Sequence, residues 1–262
     1  MKNDVLELGK KTVIGMVHCL PLPGTAGFKD NMDELKAQAI NDAVTLEKAG
    51  CTAIMIENMG DGPFNHELDT EQSVALAVVA ALVKEKINIP MGIDAAFNDY
   101  KTALSIAKAI GADFVRIPVF VDTVMYYNGT IQPCSRNAVI FRKKINAENI
   151  KILADVQVKH TYMVNPNISV VDSAKQAASC YADGIIVTGS SIGLETPIDM
   201  IKQVKKAVKI PVYAGSGVNA QNIKEQLNIA DGAIIGSSLK EGGVISNPIS
   251  YNLTKEVLNG LE

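Results

Sequence analysis

Short runs of β-branched and aliphatic residues alternate with longer segments whose apolar positions recur every three to four residues, and this rhythm continues along the whole chain. A strand-length apolar run followed by a helical period marks a parallel sheet wrapped in crossover helices. Eight such units are read. Their strands are predicted over 12–18 (TVIGMVH), 52–58 (TAIMIEN), 90–95 (PMGIDA), 113–119 (DFVRIPV), 151–157 (KILADVQ), 184–189 (GIIVTG), 211–216 (PVYAGS) and 232–237 (GAIIGS). After Thr196 the residues Ile198, Ile201, Val204 and Val208 fall on one helical face, which is expected to lie against the sheet. Thr196–Pro197 and Asn247–Pro248 read as an N-cap followed by proline at the first helical position, and Asn219, Asn98 and Thr70 read as further N-caps.

The segments that enter the strands repeat. AGCTA (49–53), GADFV (111–115), YADGI (181–185) and IADGA (229–233) precede the even-numbered strands, whereas INIP (87–90), IKIL (150–153) and VKIP (208–211) lead into odd ones. Two alternating entry phrases imply a repeating unit of two βα modules, and a closed barrel of eight strands holds four such pairs. The fold class expected is therefore α/β, a (βα)8 TIM barrel over residues 1–262 as one domain. Only Phe120–Asn137, FVDTVMYYNGTIQPCSRN, is irregular for long. Placed between the fourth strand and its helix, it is read as a lid over the active face.

Composition narrows the partners. A net charge of −3 with 20% charged residues gives no electrostatic footprint for nucleic acid or an anionic membrane surface. The first residues, MKNDVLELGKK, lack the apolar run of a signal peptide, and no segment is apolar for the length of a bilayer span. Cys19, Cys51, Cys134 and Cys180 form no CxxC pair, so they are expected to be reduced, apolar filler in a cytoplasmic protein.

In a barrel of this kind the active face lies at the carboxyl ends of the strands. Those ends supply His18, then Glu57 with Asn58, Asp94, Arg116, Asp155 followed by Lys159 and His160, and Thr188–Gly189. All three histidines, His18, His66 and His160, map to this face. Beside Lys159, His160 is the favoured acid or base. Glu57 and Asp155 each interrupt an apolar strand, where an unpaired carboxylate is costly, so each needs a partner. Arg116 could pair with them, or they could act as a general base or hold Mg²⁺. No HExxH, Cys or DxD spacing assigns a metal set. No strand ends in lysine, so Schiff-base chemistry would fall to Lys159 from its loop, and it is disfavoured.

Two glycine–serine corners follow the last two strands: Gly215–Ser216–Gly217 and Gly236–Ser237–Ser238. Loops at these positions, with the start of a short extra helix, hold phosphate in many barrels through backbone N–H groups. Gly189–Ser190–Ser191 after the sixth strand is a candidate third wall.

The phrases IGMVHCLPLPG (14–24), ILADVQVKH (152–160), GSGVNAQNI (215–223) and DGAIIGSSLK (231–240) together resemble the BtpA family, including its SgcQ-like sugar-cluster members. The resemblance covers nearly the whole chain and implies a ribulose-phosphate-binding-barrel-like fold. It matches His18, Pro21, Pro23 and Gly24 in the first phrase, Arg116, and Asp155, Lys159 and His160. The family takes its name from a role in photosystem I accumulation, which implies membrane-complex biogenesis and peripheral membrane association as one expectation. Where the family reads INVLRND, this chain reads IDAAFND (93–99). Asp94 replaces the asparagine and Phe97 the arginine, which argues against a shared catalytic role for Asp94 and for a less highly charged ligand.

The reading favoured is an enzyme, a lyase, isomerase or glycosyl hydrolase, acting on a sugar phosphate, phosphoribosyl compound or nucleotide. The alternatives are a biogenesis factor or a non-catalytic phosphometabolite-binding module. Nothing in the sequence opposes a homo-oligomer.

Overall fold

The computed structural model describes residues 11–189 and 195–261. In chain order its elements are β1 (Thr12–His18), α1 (Met32–Ala49), β2 (Ala53–Glu57), α2 (Thr70–Lys84), β3 (Met91–Asp94), α3 (Tyr100–Ile110) and β4 (Phe114–Ile117). There follow β5 (Val124–Tyr126), β6 (Gly129–Ile131), α4 (Ser135–Lys144), β7 (Lys151–Val156), β8 (Tyr162–Met163), α5 (Val170–Ser179) and β9 (Gly184–Val187). The chain ends with α6 (Ile198–Ala207), β10 (Val212–Ala214), α7 (Ile223–Leu227), β11 (Gly232–Ile235) and α8 (Tyr251–Asn259). Eight parallel strands close a barrel in the order β1-β11-β10-β9-β7-β4-β3-β2. These are the eight strands expected from the sequence, each end within two residues.

The repeated entry phrases have a physical cause. Thr52, Asp113, Asp183 and Asp231 each stand just before the second strand of a pair and accept a hydrogen bond from the first strand: from Val13 N (2.8 Å), Met91 N (2.9 Å), Ile152 N (2.9 Å) and Val212 N (2.7 Å). The three aspartates also meet Lys84, Arg142 and Lys205 from α2, α4 and α6. Each pair of βα modules is thus locked at its amino-terminal edge by one side chain, which satisfies a strand N–H that would otherwise lack a partner.

Inside the barrel Ile14, Met16, Ala53, Met55, Phe114, Leu153, Ile186, Tyr213 and Ile234 fill the axis. Phe114 lies flat against Gly92, where any side chain would collide with its ring. The larger apolar layer lies between strands and helices; Ile201 and Val204 of α6 face it as expected.

Several caps differ from expectation. Helix α6 starts at Ile198, because the Thr196 hydroxyl turns inward to the carbonyls of Val187 and Ser216 rather than capping. Ser250, not Asn247, caps α8, and Asp99, not Asn98, caps α3. Asp69 caps α2 one residue before Thr70. Asn219 accepts the N–H groups of Gln221 and Asn222 just ahead of α7. The stretch expected to be irregular contains the hairpin β5–β6, and β8 adds a third antiparallel strand on the other side of β5.

Candidate active site

Polar side chains at the carboxyl end of the barrel fasten each loop to its neighbour. Asn58 accepts Ala96 N (2.7 Å) and donates to its carbonyl, and Asn98 does the same for Val119. Asp122 accepts Gln157 N, Thr188 Oγ1 accepts Lys159 N, Ser216 Oγ accepts Gly189 N (2.7 Å), and Ser238 Oγ donates to Val218 O (2.6 Å). Asn58 and Asn98 are therefore clamps. Neighbouring loops that are cross-braced in this way hold a mouth of fixed shape.

That mouth contains a cavity of about 300 Å³, at the small end of the range for ligand pockets. One wall is formed by Gly215, Ser216, Gly217 and Val218 after β10 and by Gly236, Ser237 and Ser238 after β11. Because β10 and β11 are neighbours, the two corners are adjacent, and Ser237–Leu239 forms a short 3₁₀ turn. Glycine is required at 236: a Cβ there would stand 2.8 Å from His18 Cε1. Ser216 Oγ accepts from Gly189 N and Ser238 Oγ donates to Val218 O within the loops, and Ser237 lines the cavity beside them. Gly189 stands behind Ser216 and outside the lining, while Ser190 and Ser191 lie outside the described residues.

The floor carries the charges. Arg116 is 7% exposed and grips Asp155, itself fully buried, through Nε–Oδ1 (2.7 Å) and Nη2–Oδ2 (2.9 Å). Its Nη1 lies 3.3 Å from Asp94 Oδ2, within ion-pair reach, yet neither Asp94 oxygen makes a hydrogen bond among the described residues. Glu57 Oε2 is 3.5 Å from His18 Nε2, and His18 Nδ1 has no hydrogen-bond partner among the described residues. Glu57, Asp94, Arg116, Lys159, His18 and His160 line the cavity; Asp155 does not, because Arg116 occupies both its oxygens. His66 belongs to the same face but bonds Asn128 outside the cavity.

Burial sets the protonation states. It raises Glu57, with Arg116 and Lys159 opposing, and raises Asp94 well above the carboxylate range, with Glu57 adding to the effect. Burial also works against the Arg116 charge, but Asp155 outweighs it and the guanidinium stays protonated. Burial first and then Arg116 lower the Lys159 ammonium, whose losses the three carboxylates partly offset. His18 falls to about 3, through burial and then Lys240, Lys159 and Arg116, so its ring is neutral at physiological pH. His160 is lowered by burial and by Lys159. The floor therefore combines two carboxyl groups with raised pKa, a fixed cation and an amine of reduced basicity. Among the described residues no group of three or more His, Cys, Asp or Glu is placed to hold a metal ion. The carboxyl groups converge instead on a guanidinium.

The opposite wall, built of aromatic side chains, was not anticipated. Phe64, Phe97, Tyr126 and Val158 line the side formed by the loops after β2, β3, β4 and β7, and the Phe97 and Tyr126 rings stack at 4.5 Å with 12° between planes. Tyr126 belongs to the hairpin, whose Asn128–Gly129 dipeptide is a turn signal that the sequence displays.

A closed parallel barrel defines the molecule as a (βα)8 barrel, and its charged cavity lies at the carboxyl ends of the strands, the face at which barrels of this fold carry their sites. The BtpA family model matches residues 9–262, and the chain belongs to the BtpA family. An uncharacterized protein of Pyrococcus abyssi is 38% identical over 94% of this chain and 93% of its own. The photosystem I biogenesis protein BtpA of Synechocystis is 32% identical over 90% of this chain and 83% of its own. Among solved structures, the (S)-3-O-geranylgeranylglyceryl phosphate synthase of Thermoplasma acidophilum, in complex with its substrate sn-glycerol-1-phosphate, superposes with a TM-score of 0.58 at 14% identity, over 96% of this chain and 93% of the other. Among the described residues no helix is long and apolar enough to cross a membrane.

Proposed function

We propose that the protein is an enzyme acting on a phosphorylated small molecule, with the phosphate held at the corners after β10 and β11 and acid–base chemistry on the floor between them and the opposite wall. The observation that carries this reading is a single cavity in which Gly215–Gly217 and Gly236–Ser238 adjoin Glu57, Asp94, Arg116 and Lys159. Glycines allow close backbone approach to an oxyanion, and two adjacent turns add their N–H dipoles. A phosphate gripped there positions the reacting carbons over the floor, so that remote binding energy contributes to the chemical step.

Glu57 is the proton acceptor in this scheme, since its raised pKa brings it closer to the working pH, and Lys159 returns the proton. Arg116, fixed by Asp155, stabilises negative charge as it develops. Asp155 is thus a positioning residue. His160, at the rim, serves as an alternative donor. The glycerol-phosphate complex of the Thermoplasma barrel supports the placement of the anion by analogy of fold alone. Isomerisation, aldol-type cleavage and glycosyl hydrolysis are all compatible with these groups.

Titration calorimetry and thermal shift with orthophosphate, ribose 5-phosphate and nucleoside monophosphates test the reading, because a ligand that binds only the folded state raises its stability. Saturable binding that is lost in Gly236→Val supports it; no binding by any phosphorylated compound at millimolar concentration overturns it. The name of the Synechocystis relative favours a second reading, a biogenesis factor working through its surface. On that reading Glu57→Gln and Lys159→Met retain full biological activity.

A further inference from the structure

The wall facing the phosphate corners is aromatic and uncharged, and the closed strand order fixes where it stands. In the ring β1-β11-β10-β9-β7-β4-β3-β2, β3 is four strands from β10, and β4 is four strands from β11. Each is therefore diametrically opposite its counterpart. Phe97 follows β3, and Tyr126 lies in the connection after β4. A ligand with its anion at one side of the mouth must thus cross the charged floor and end against these two rings.

That end of the cavity is packed and braced. Phe97 packs with Val119, Val124, Ile131 and Val158 in an apolar cluster separate from the barrel interior and from the helix–sheet core. The hairpin tip is fastened down: the Tyr127 hydroxyl and Asn128 Nδ2 both donate to the Phe64 carbonyl. The wall itself, Phe64, Phe97, Tyr126 and Val158, carries no charge, and the cations of the lining, Arg116 and Lys159, belong to the floor, so a second phosphate seated against this wall would be desolvated by apolar side chains and one phenol. The Tyr126 hydroxyl has no hydrogen-bond partner among the described residues and is available to a ring heteroatom.

We infer that the substrate carries one phosphate and, at its far end, a planar unsaturated ring that lies against Phe97 and Tyr126, as in a nucleoside 5′-monophosphate or an aryl-substituted phosphoribosyl compound. This rests on the proposed phosphate anchor. It excludes sugar bisphosphates, whose second anion has no counterpart on the aromatic wall, and it disfavours bare sugar phosphates, which leave that wall wet. Tyr126 already meets Phe97 at 4.5 Å and Tyr127 at 4.4 Å between centroids, so a further planar group joins this aromatic cluster at its cavity edge, where offset stacking buries flat apolar area and aligns the ring quadrupoles. The small cavity suits one ring and one sugar, not a dinucleotide.

Titration calorimetry on the full chain separates the possibilities. The probes are purine and pyrimidine nucleoside 5′-monophosphates, ribose 5-phosphate, fructose 1,6-bisphosphate, decyl phosphate and adenosine. At least one nucleoside monophosphate is expected to bind about tenfold tighter than ribose 5-phosphate, the gain that stacking of one base supplies. Tyr126→Leu is expected to remove that advantage while ribose 5-phosphate affinity changes little. Phe64→Leu serves as the second variant if the first does not give a cooperative melt. Equal or tighter binding of ribose 5-phosphate, the bisphosphate or decyl phosphate overturns the inference and leaves the phosphate anchor standing. Adenosine binding as tightly as its monophosphate supports the aromatic wall and removes the anchor. If no phosphorylated probe binds, both fall.

Discussion

Ser238 Oγ donates a 2.6 Å hydrogen bond to the Val218 carbonyl, which joins the turn after β11 to the turn after β10. The two glycine–serine corners are thereby a single unit whose spacing the protein sets before any ligand arrives. Ser238→Ala removes one such bond, worth about 1 kcal/mol, and leaves the corners able to drift apart. The expected outcome is a small fall in the urea midpoint accompanied by several-fold weaker binding of ribose 5-phosphate. Unchanged affinity in a destabilised variant would show that the corners do not act together.

Two aspartates share Arg116 but differ in kind. Asp155 holds it bidentately, and Asp94 only touches it at 3.3 Å. Breaking a buried pair by removing one partner costs about 3–5 kcal/mol. Asp155→Asn is expected near the lower end, because Glu57 still faces the guanidinium. Asp94→Asn, at a carboxyl that burial biases toward its neutral form and that makes no hydrogen bond among the described residues, is expected to cost less than Asp155→Asn. Guanidinium chloride melts of the two variants at pH 7 give the comparison. Equal losses would mean that Asp94 carries a charge.

His18 gives the fold a pH dependence of definite sign. At pH 8 its imidazole is neutral in folded and unfolded chains alike. Below the ordinary value of 6.5 the unfolded chain takes up a proton that the buried ring refuses until about pH 3. Stability from this group is therefore complete above pH 6.5 and drains away as the pH falls. The loss by pH 5 is about 2 kcal/mol at 1.36 kcal/mol per unit. Raised carboxyl groups act in the other direction, favouring the folded state at low pH, so the His18 contribution is read as the difference between wild type and His18→Gln across pH 5–8. A difference independent of pH would refute it.

At the opposite end of the barrel, Asp231 accepts Val212 N at 2.7 Å and pairs with Lys205 at 2.6 Å. Asp231→Ala leaves a strand N–H without its acceptor, at a cost of about 1–3 kcal/mol. Asp183→Ala should cost a similar amount for the same reason, through Ile152 N. Thermal melts that found one harmless and the other severe would contradict the equivalence of the repeated modules.

The barrel was legible because its determinants are local and repeated. Apolar strand runs, helical periods and the bracing residue before alternate strands are each written within a few residues, and the Thr52, Asp113, Asp183 and Asp231 braces turn that repetition into four locked pairs. The candidate floor residues were legible too, since a charged residue at the end of an apolar strand has few places to point. The caps were less so. Thr196 and Asn98 have the right chemistry for helix ends, but tertiary neighbours claim their side chains for Val187, Ser216 and Val119.

By itself, then, the sequence determined the number and order of strands, the face on which the polar residues gather and the pairing of modules, because these follow from patterns shorter than one βα unit. Only the tertiary structure decided how those residues divide their labour. Closure of the ring brings Arg116 to Asp155 and sets Phe97 and Tyr126 across from Gly215 and Gly236. It also buries Glu57 and Asp94, which raises the pKa of both. Such relationships join side chains far apart in the sequence, and their energies depend on desolvation, which exists only once the barrel has closed around them.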